Sequence, residues 1–228
     1  MDKTKIAIAV FDDRANEYQE KFMAQDLYHA SFDRFCDAVT PQQAHVLELA
    51  CGPGNITRYL LEKRPDFRIL ATDLSPNMLD LARKNNPGAS FQLLDCRAVG
   101  QLDRSFDAVM FGFGLPYLSK RAALKLIRDV SGLLRPGGMF YLSTMEDDYR
   151  QSDWKLPSSG VGPKVFIHYH QADYLVEALQ RNGFDLIDAS RVDFPGATTQ
   201  DLLLLARKRV SSPGRGRVRR PEHASGKN

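Results

Sequence analysis

Apolar and polar positions change rhythm once along this chain, near Pro41. Before it, Tyr18, Phe22, Leu27, Phe32, Phe35 and Val39 recur at three- to five-residue spacings with charges between them, which predicts a helix over 14–39. After it, short apolar runs alternate with longer amphipathic ones, the signature of βαβ units and a parallel sheet. The runs 45–50, 67–73, 90–94, 106–111 and 139–144 read as strands, and 184–193 and 201–208 as two more joined by a turn at Pro195-Gly196. Between them helices are expected from Asn55, a plausible N-cap, to Arg64, from Ser75-Pro76 to the breaker Asn85-Asn86-Pro87-Gly88, over 119–134 and over 171–182. Seven strands with helices between the first five predict one doubly wound α/β domain with helices on both faces of the sheet. The polar, Gly/Pro/Ser-rich stretch 146–166 is long for a connection in a compact domain and suits a lid, with Tyr149 and Trp154 to cover a ligand and Gly160 and Gly162 as hinges. Residues 1–13 are left as an N-terminal extension and 14–208 as the domain.

Composition changes this picture little. Hydrophobic residues at 43% and charged residues at 26% belong to the globular range. No apolar run approaches the roughly 20 residues a membrane span needs, and the patch Ile6–Phe11 is too short for a secretory signal. Cys36, Cys51 and Cys96 are odd in number and lack metal-type spacing, which suits reduced thiols and a cytoplasmic protein. Charge is more informative. Of the 31 Lys and Arg and 28 Asp and Glu, eight basic residues and one acidic residue stand between Arg207 and Asn228, leaving 23 and 27 before them. The folded part is therefore mildly acidic, which disfavours a nucleic-acid substrate, and the high pI belongs to a tail, 209–228, that reads as disordered.

In an open α/β sheet, ligands bind beyond the carboxyl ends of the strands. After the first strand stands Glu48-Leu49-Ala50-Cys51-Gly52-Pro53-Gly54, where Gly52 and Gly54 let a ligand approach the backbone at a helix N-terminus. After the second stands Asp73, 19 residues beyond Gly54 and able to accept from both hydroxyls of a ribose. After the third stands Asp95, suited to an exocyclic amine such as adenine N6. A nicotinamide-binding dehydrogenase shares the first two features. Its fingerprint, however, wants a small residue where Thr57 stands, and no second domain is evident.

With these residues in order, the chain from about 14 to 208 resembles a class I S-adenosylmethionine-dependent methyltransferase. Glu48–Gly54 is similar to that family's glycine motif, Asp73-Leu74-Ser75-Pro76-Asn77-Met78 to its ribose-binding segment, and Asp95-Cys96 to its adenine-contacting pair. Phe106–Val109 resembles its fourth-strand motif, and Leu134-Arg135-Pro136-Gly137-Gly138 the turn before its fifth strand. The resemblance implies strand order 3-2-1-4-5-7-6 with the seventh strand antiparallel. It implies S-adenosyl-L-methionine as cofactor, held by Glu48, Ala50, Gly52, Gly54, Asp73, Leu74, Met78, Asp95, Cys96 and Phe111. Tyr18 either lies over the cofactor or packs its helix. The implied activity is methyl transfer, and the absence of an Asn-Pro-Pro-Tyr-type motif or an added nucleic-acid domain favours a small-molecule acceptor. An oxidoreductase, or a methyltransferase-like protein that only binds, remains the alternative. A general base, if the acceptor needs one, is sought in His168 and His170, whose near-neutral imidazoles flank Tyr169, with Tyr117 as a further pocket residue. The two histidines read equally as a loop residue and a helix cap. The sequence leaves the acceptor, the methylated atom and the oligomeric state open.

Overall fold

The computed structural model describes residues 2–156 and 162–210. Seven strands form one sheet in the order β3-β2-β1-β4-β5-β9-β8: β1 His45–Leu49, β2 Arg68–Asp73, β3 Ser90–Leu93, β4 Phe106–Phe111, β5 Leu134–Glu146, β8 Phe184–Asp193 and β9 Gln200–Lys208. Counting only these strands, this is the expected 3-2-1-4-5-7-6. β9 runs antiparallel to β5 from Met139↔Arg207 to Glu146↔Gln200, while β1 to β5 are parallel.

Strands buried on both faces explain the short continuous apolar runs. Side chains alternate between two cores. Leu47, Leu49, Val109, Phe111, Phe140, Leu142, Leu202 and Leu204 face α6 (Lys120–Leu133) and α7 (Ala172–Arg181), where Leu126, Ile127, Val130 and Leu175 are buried. Val46, Ala108, Met110, Met139, Tyr141, Leu203 and Leu205 face α3 (His29–Ala38), α4 (Asn55–Lys63) and α5 (Pro76–Asn85), through Phe32, Phe35, Leu60 and Leu79. No helix among the described residues is long and apolar enough to cross a membrane.

Local signals behave as their chemistry dictates. Ser75 Oγ accepts from the Met78 N–H at 3.0 Å, with Pro76 opening α5. At the start of α4 the cap residue is Gly54, in the left-handed region at φ 82°, rather than Asn55. Three segments depart from the sequence reading. The expected helix over 14–39 is two helices, α2 (Ala15–Phe22) and α3, divided by the turn at 23–28. Residues 3–13, set aside as an extension, are a helix of their own, α1 (Lys3–Asp13), with Asp2 as N-cap. Within 146–166, β6 (Asp153–Lys155) pairs antiparallel with β7 (Val165–Ile167), so the supposed open loop begins and ends as a ribbon. Its centre, with Gly160, and the tail beyond Val210 lie outside the described residues.

Candidate functional site

A cavity open to solvent lies at the carboxyl ends of β1 to β4. Its floor comes from three consecutive strand ends. Asp73, at the end of β2, reaches across to the turn after β1. Its Oδ2 accepts from the Gly52 N–H at 2.8 Å, and its Oδ1 accepts from the Ser75 N–H at 2.9 Å. The Leu74 N–H also faces this carboxylate, so it is ringed by backbone donors. Burial pushes this carboxyl up, and the backbone N–H groups oppose the shift. Gly52 (φ 54°) and Ala50 (φ 53°) both adopt the left-handed conformation, which draws the backbone tightly round the cavity edge. Asp95 caps the 3-10 turn Cys96–Gln101 and is gripped by Arg97 through Nε at 3.0 Å and Nη2 at 2.6 Å. Burial pulls the Asp95 carboxyl upward, but this guanidinium prevails and holds it below the usual range. Cys96 beside it is half-buried, and desolvation pushes its thiol up to about 12.

Glu48 stands beneath the floor and does not line the cavity. It is only 1% exposed; its Oε2 accepts from the Thr57 hydroxyl at 2.6 Å, and its Oε1 has no partner. Burial raises its carboxyl to about 8, so it is protonated at neutral pH.

The roof is aromatic. Phe11 of α1, Tyr18 of α2, Phe113 after β4 and Tyr117 in the next turn all line the cavity. Phe11 meets Tyr117 edge-on at 4.9 Å and Tyr18 at 5.8 Å between ring centres. Burial raises the Tyr18 hydroxyl to about 12 and shifts that of Tyr117 in the same direction. Helix α1 spans the roof and is fastened at both ends. At its start, Asp2 pairs with Arg97 at 2.8 Å and the Thr4 hydroxyl donates to the Tyr117 carbonyl at 2.7 Å. At its end, the Asp12 carboxylate accepts from the Ser75 hydroxyl at 2.6 Å and from the Asn77 N–H at 3.0 Å.

Of the residues expected at the site, Tyr18, Ala50, Gly52, Asp73, Leu74, Met78, Asp95, Cys96 and Tyr117 line this cavity. Glu48, Gly54, Phe111, His168 and His170 do not. Gly54 serves packing: an added Cβ would overlap the Asn86 amide, which donates to the Gly54 carbonyl. Phe111 points into the core beneath α6, because the strand's alternation turns it away from the ligand side.

The two histidines have the greatest distance between expectation and geometry. His170 is fully buried; its Nε2–H donates to the Leu115 carbonyl at 3.1 Å, so its Nδ1 accepts from the Tyr174 hydroxyl. His168 Nδ1 and the Tyr149 hydroxyl share a hydrogen bond at 3.1 Å, and the imidazole packs on Phe166. Burial lowers both imidazoles to about 4, aided at His168 by the charge of Lys3. They join the ribbon to the domain and sit outside the cavity lining.

Thr4, Ala7, Ile8 and Phe11 were missed, although their spacing of three, four and seven is the helical stripe that marks a buried face. Phe113 was missed because nothing local marks a phenylalanine between two glycines as strained.

The residues fit an adenosyl cofactor. Asp73 presents a carboxylate at the cavity edge at the end of β2, and α4 begins with no side-chain cap on its N–H groups. The described lining holds two carboxylates and no Lys, Arg or His, which suits a sulfonium cation and gives a pyrophosphate no counter-charge.

Residues 46–138 match a family model described as a methyltransferase domain. The trans-aconitate 2-methyltransferase of Variovorax paradoxus is 31% identical over 116 residues, covering 51% of this chain and 44% of that protein. The demethylmenaquinone methyltransferase of Thermotoga maritima is 33% identical over 121 residues, covering 53% and 51%. The chain thus spans about half the length of these curated relatives. Among solved structures, the 1,6-didemethyltoxoflavin-N1-methyltransferase of Burkholderia thailandensis, with bound 1,6-didemethyltoxoflavin and S-adenosylhomocysteine, superposes with a TM-score of 0.67 at 23% identity, over 92% of this chain and 91% of that one. The magnesium protoporphyrin IX methyltransferase of Synechocystis, with bound S-adenosylmethionine, superposes with a TM-score of 0.67 at 16% identity, over 91% and 98%. Residues 46–138 thus resemble a methyltransferase domain, and the fold is shared with solved S-adenosylmethionine-dependent methyltransferases.

Proposed function

We propose that the chain transfers the methyl group of S-adenosylmethionine to a small-molecule acceptor bound under α1, in the cytoplasm. One observation carries this reading: the acids at the ends of β2 and β3 line the same cavity as the rings of Phe11, Tyr18, Phe113 and Tyr117. The cofactor supplies a methyl already activated on a sulfonium, with a neutral thioether as leaving group.

The protein's own part is to hold, align and exclude water. Asp73 would take the ribose hydroxyls. Leu74, Met78, Cys96 and Asp95 would enclose the base, and Ala50 and Gly52 would border the amino-acid end, with Tyr18 above. The raised hydroxyls of Tyr18 and Tyr117 stay protonated at neutral pH, so they orient an acceptor by donating hydrogen bonds and do not abstract its proton. No His, Lys or Arg stands among the described lining residues. Alignment therefore supplies the rate, and the proton of the acceptor leaves to solvent.

Calorimetric titration with S-adenosylmethionine, beside the Asp73→Ala variant and an NADH control, tests the reading. Micromolar binding that Asp73→Ala weakens at least about tenfold, ~1.4 kcal/mol, is expected. Binding of NADH alone would overturn it. Binding without methylation of any acceptor, followed with methyl-labelled cofactor, would favour a protein that only binds.

A further inference from the structure

The cavity is walled on its acceptor side by rings from separate segments, Phe11, Phe113 and Tyr117, and Phe113 is held there against its own backbone preference. Its φ is 56°, a conformation rare for a bulky side chain and retained only where the surroundings over-determine it. Both neighbours enforce the turn. A Cβ on Gly112 would overlap Ile56, and one on Gly114 would overlap the Phe111 ring. The Phe113 N–H donates to the Ser143 hydroxyl at 3.0 Å, and its ring lies 4.5 Å from that of Tyr28. Tyr28 is anchored in turn, donating to the buried Asp201 carboxylate at 2.6 Å. Strain, two glycines, a hydroxyl and a second ring thus converge on the placement of one aromatic face.

Charge points the same way. Asp73 and Asp95 are the charged groups of the described lining. Arg97, beside Asp95, is bound to both Asp95 and Asp2, and Lys3 lies over the Phe166 ring. A carboxylate or phosphate on the acceptor would meet no cation among the described lining residues, which is costly in an apolar cavity.

We infer that the acceptor is an uncharged, flat aromatic molecule received among Phe11, Phe113 and Tyr117. This rests on the methyltransferase reading, and it excludes polycarboxylates such as trans-aconitate as substrates of this chain.

The full chain, saturated with S-adenosylhomocysteine, is titrated with 2-naphthol, with a set of uncharged bicyclic phenols and N-heterocycles, and with trans-aconitate. Methyl transfer to each is then scored with labelled cofactor. Phe113→Gly is the informative variant: glycine adopts φ 56° freely, so the ring is removed while the backbone relaxes. Saturable binding of uncharged aromatics, weakened at least about tenfold by Phe113→Gly with S-adenosylhomocysteine affinity changed less than about threefold, is the expected result. Should that variant fail to fold, Phe11→Leu carries the same comparison. Methylation of trans-aconitate but of no uncharged aromatic, or aromatic binding indifferent to the lost ring, would overturn the inference alone. Failure of S-adenosylhomocysteine to bind the unaltered chain would instead overturn the methyltransferase reading beneath it.

Discussion

The floor of the cavity is closed by bonds between near neighbours in sequence, whereas its roof is closed by bonds across the whole chain. Gly52 and Asp73, 21 residues apart, make the floor's central contact, and Asp73 with Ser75 and Asp95 with Arg97 are each two apart. In the roof, Thr4 meets Tyr117 across 113 positions, Asp2 meets Arg97 across 95, and Asp12 meets Ser75 across 63. The floor is made of strand ends and helix starts, where the backbone's own donors serve the carboxylates. The roof is made of a helix that has no such donors to offer and is held by side chains at its two ends. A rigid floor under a detachable roof is the mechanical consequence, and it suits a site that must keep one ligand oriented while admitting another.

Substitutions in the two regions should therefore differ in kind. The largest effect is expected in the floor. Gly54→Ala places a Cβ against Asn86 at φ 82°, and should cost about 3 kcal/mol of global stability through overpacking and strain. Urea denaturation measures this, and an unchanged midpoint would show that the turn yields. In the roof, the double change Asp2→Ala, Asp12→Ala removes the carboxylate fastenings of α1, leaving the Thr4 bond and the sheet intact. A loss of about 1–2 kcal/mol, confined to α1, is expected. Faster tryptic cleavage at Lys3, Lys5 or Arg14, with the rest of the chain resistant, is its signature. Uniform digestion would mean that roof and floor unfold as one.

Acidity separates the regions further. Unfolded imidazoles bind protons below about 6.5, but His168 and His170 in the folded chain do so only near 4. The unfolded state holds more protons in that window, so stability contributed by the ribbon's histidines is present above 6.5 and lost as pH falls toward 4. Glu48 has the opposite sign. Burial raises its folded carboxyl to about 8 from an ordinary value of 4.5, so its contribution is full below 4.5 and is lost as pH rises to about 8. Unfolding midpoints measured from pH 4 to 9 should show the acid limb flattened by His170→Gln and the alkaline limb by Glu48→Gln. The smallest effect is expected for Tyr149→Phe, which deletes the bond to His168 and should cost about 1 kcal/mol in the same assay.

The legible parts of the molecule were those whose cause is local. The alternation of Val46 and Leu47, or of Met110 and Phe111, between two cores reports a strand covered on both faces, and Ser75-Pro76 reports a helix start. Asp73 and Asp95 could be read as site residues because a strand end has a known direction in an α/β sheet. The same logic misled for Phe111, one residue short of the cavity edge, where alternation sent the side chain inward. The histidines misled for a different reason. A sequence shows that an imidazole can take up a proton, but not that Leu115 and Tyr174 already occupy both of its nitrogens.

The succession of strands and helices, the glycine turn and the acids beside it were determined by the sequence itself, whereas the order of the strands within the sheet came only with the family resemblance. Hydrophobic period, backbone sterics and capping act over a few residues and leave their pattern in composition and spacing. Which rings form the roof, that α1 closes over the cavity, and that Phe113 is held in a strained conformation were decided only by tertiary structure. Those features depend on contacts between segments far apart in the chain, where geometry and burial set the outcome and spacing carries no trace of it.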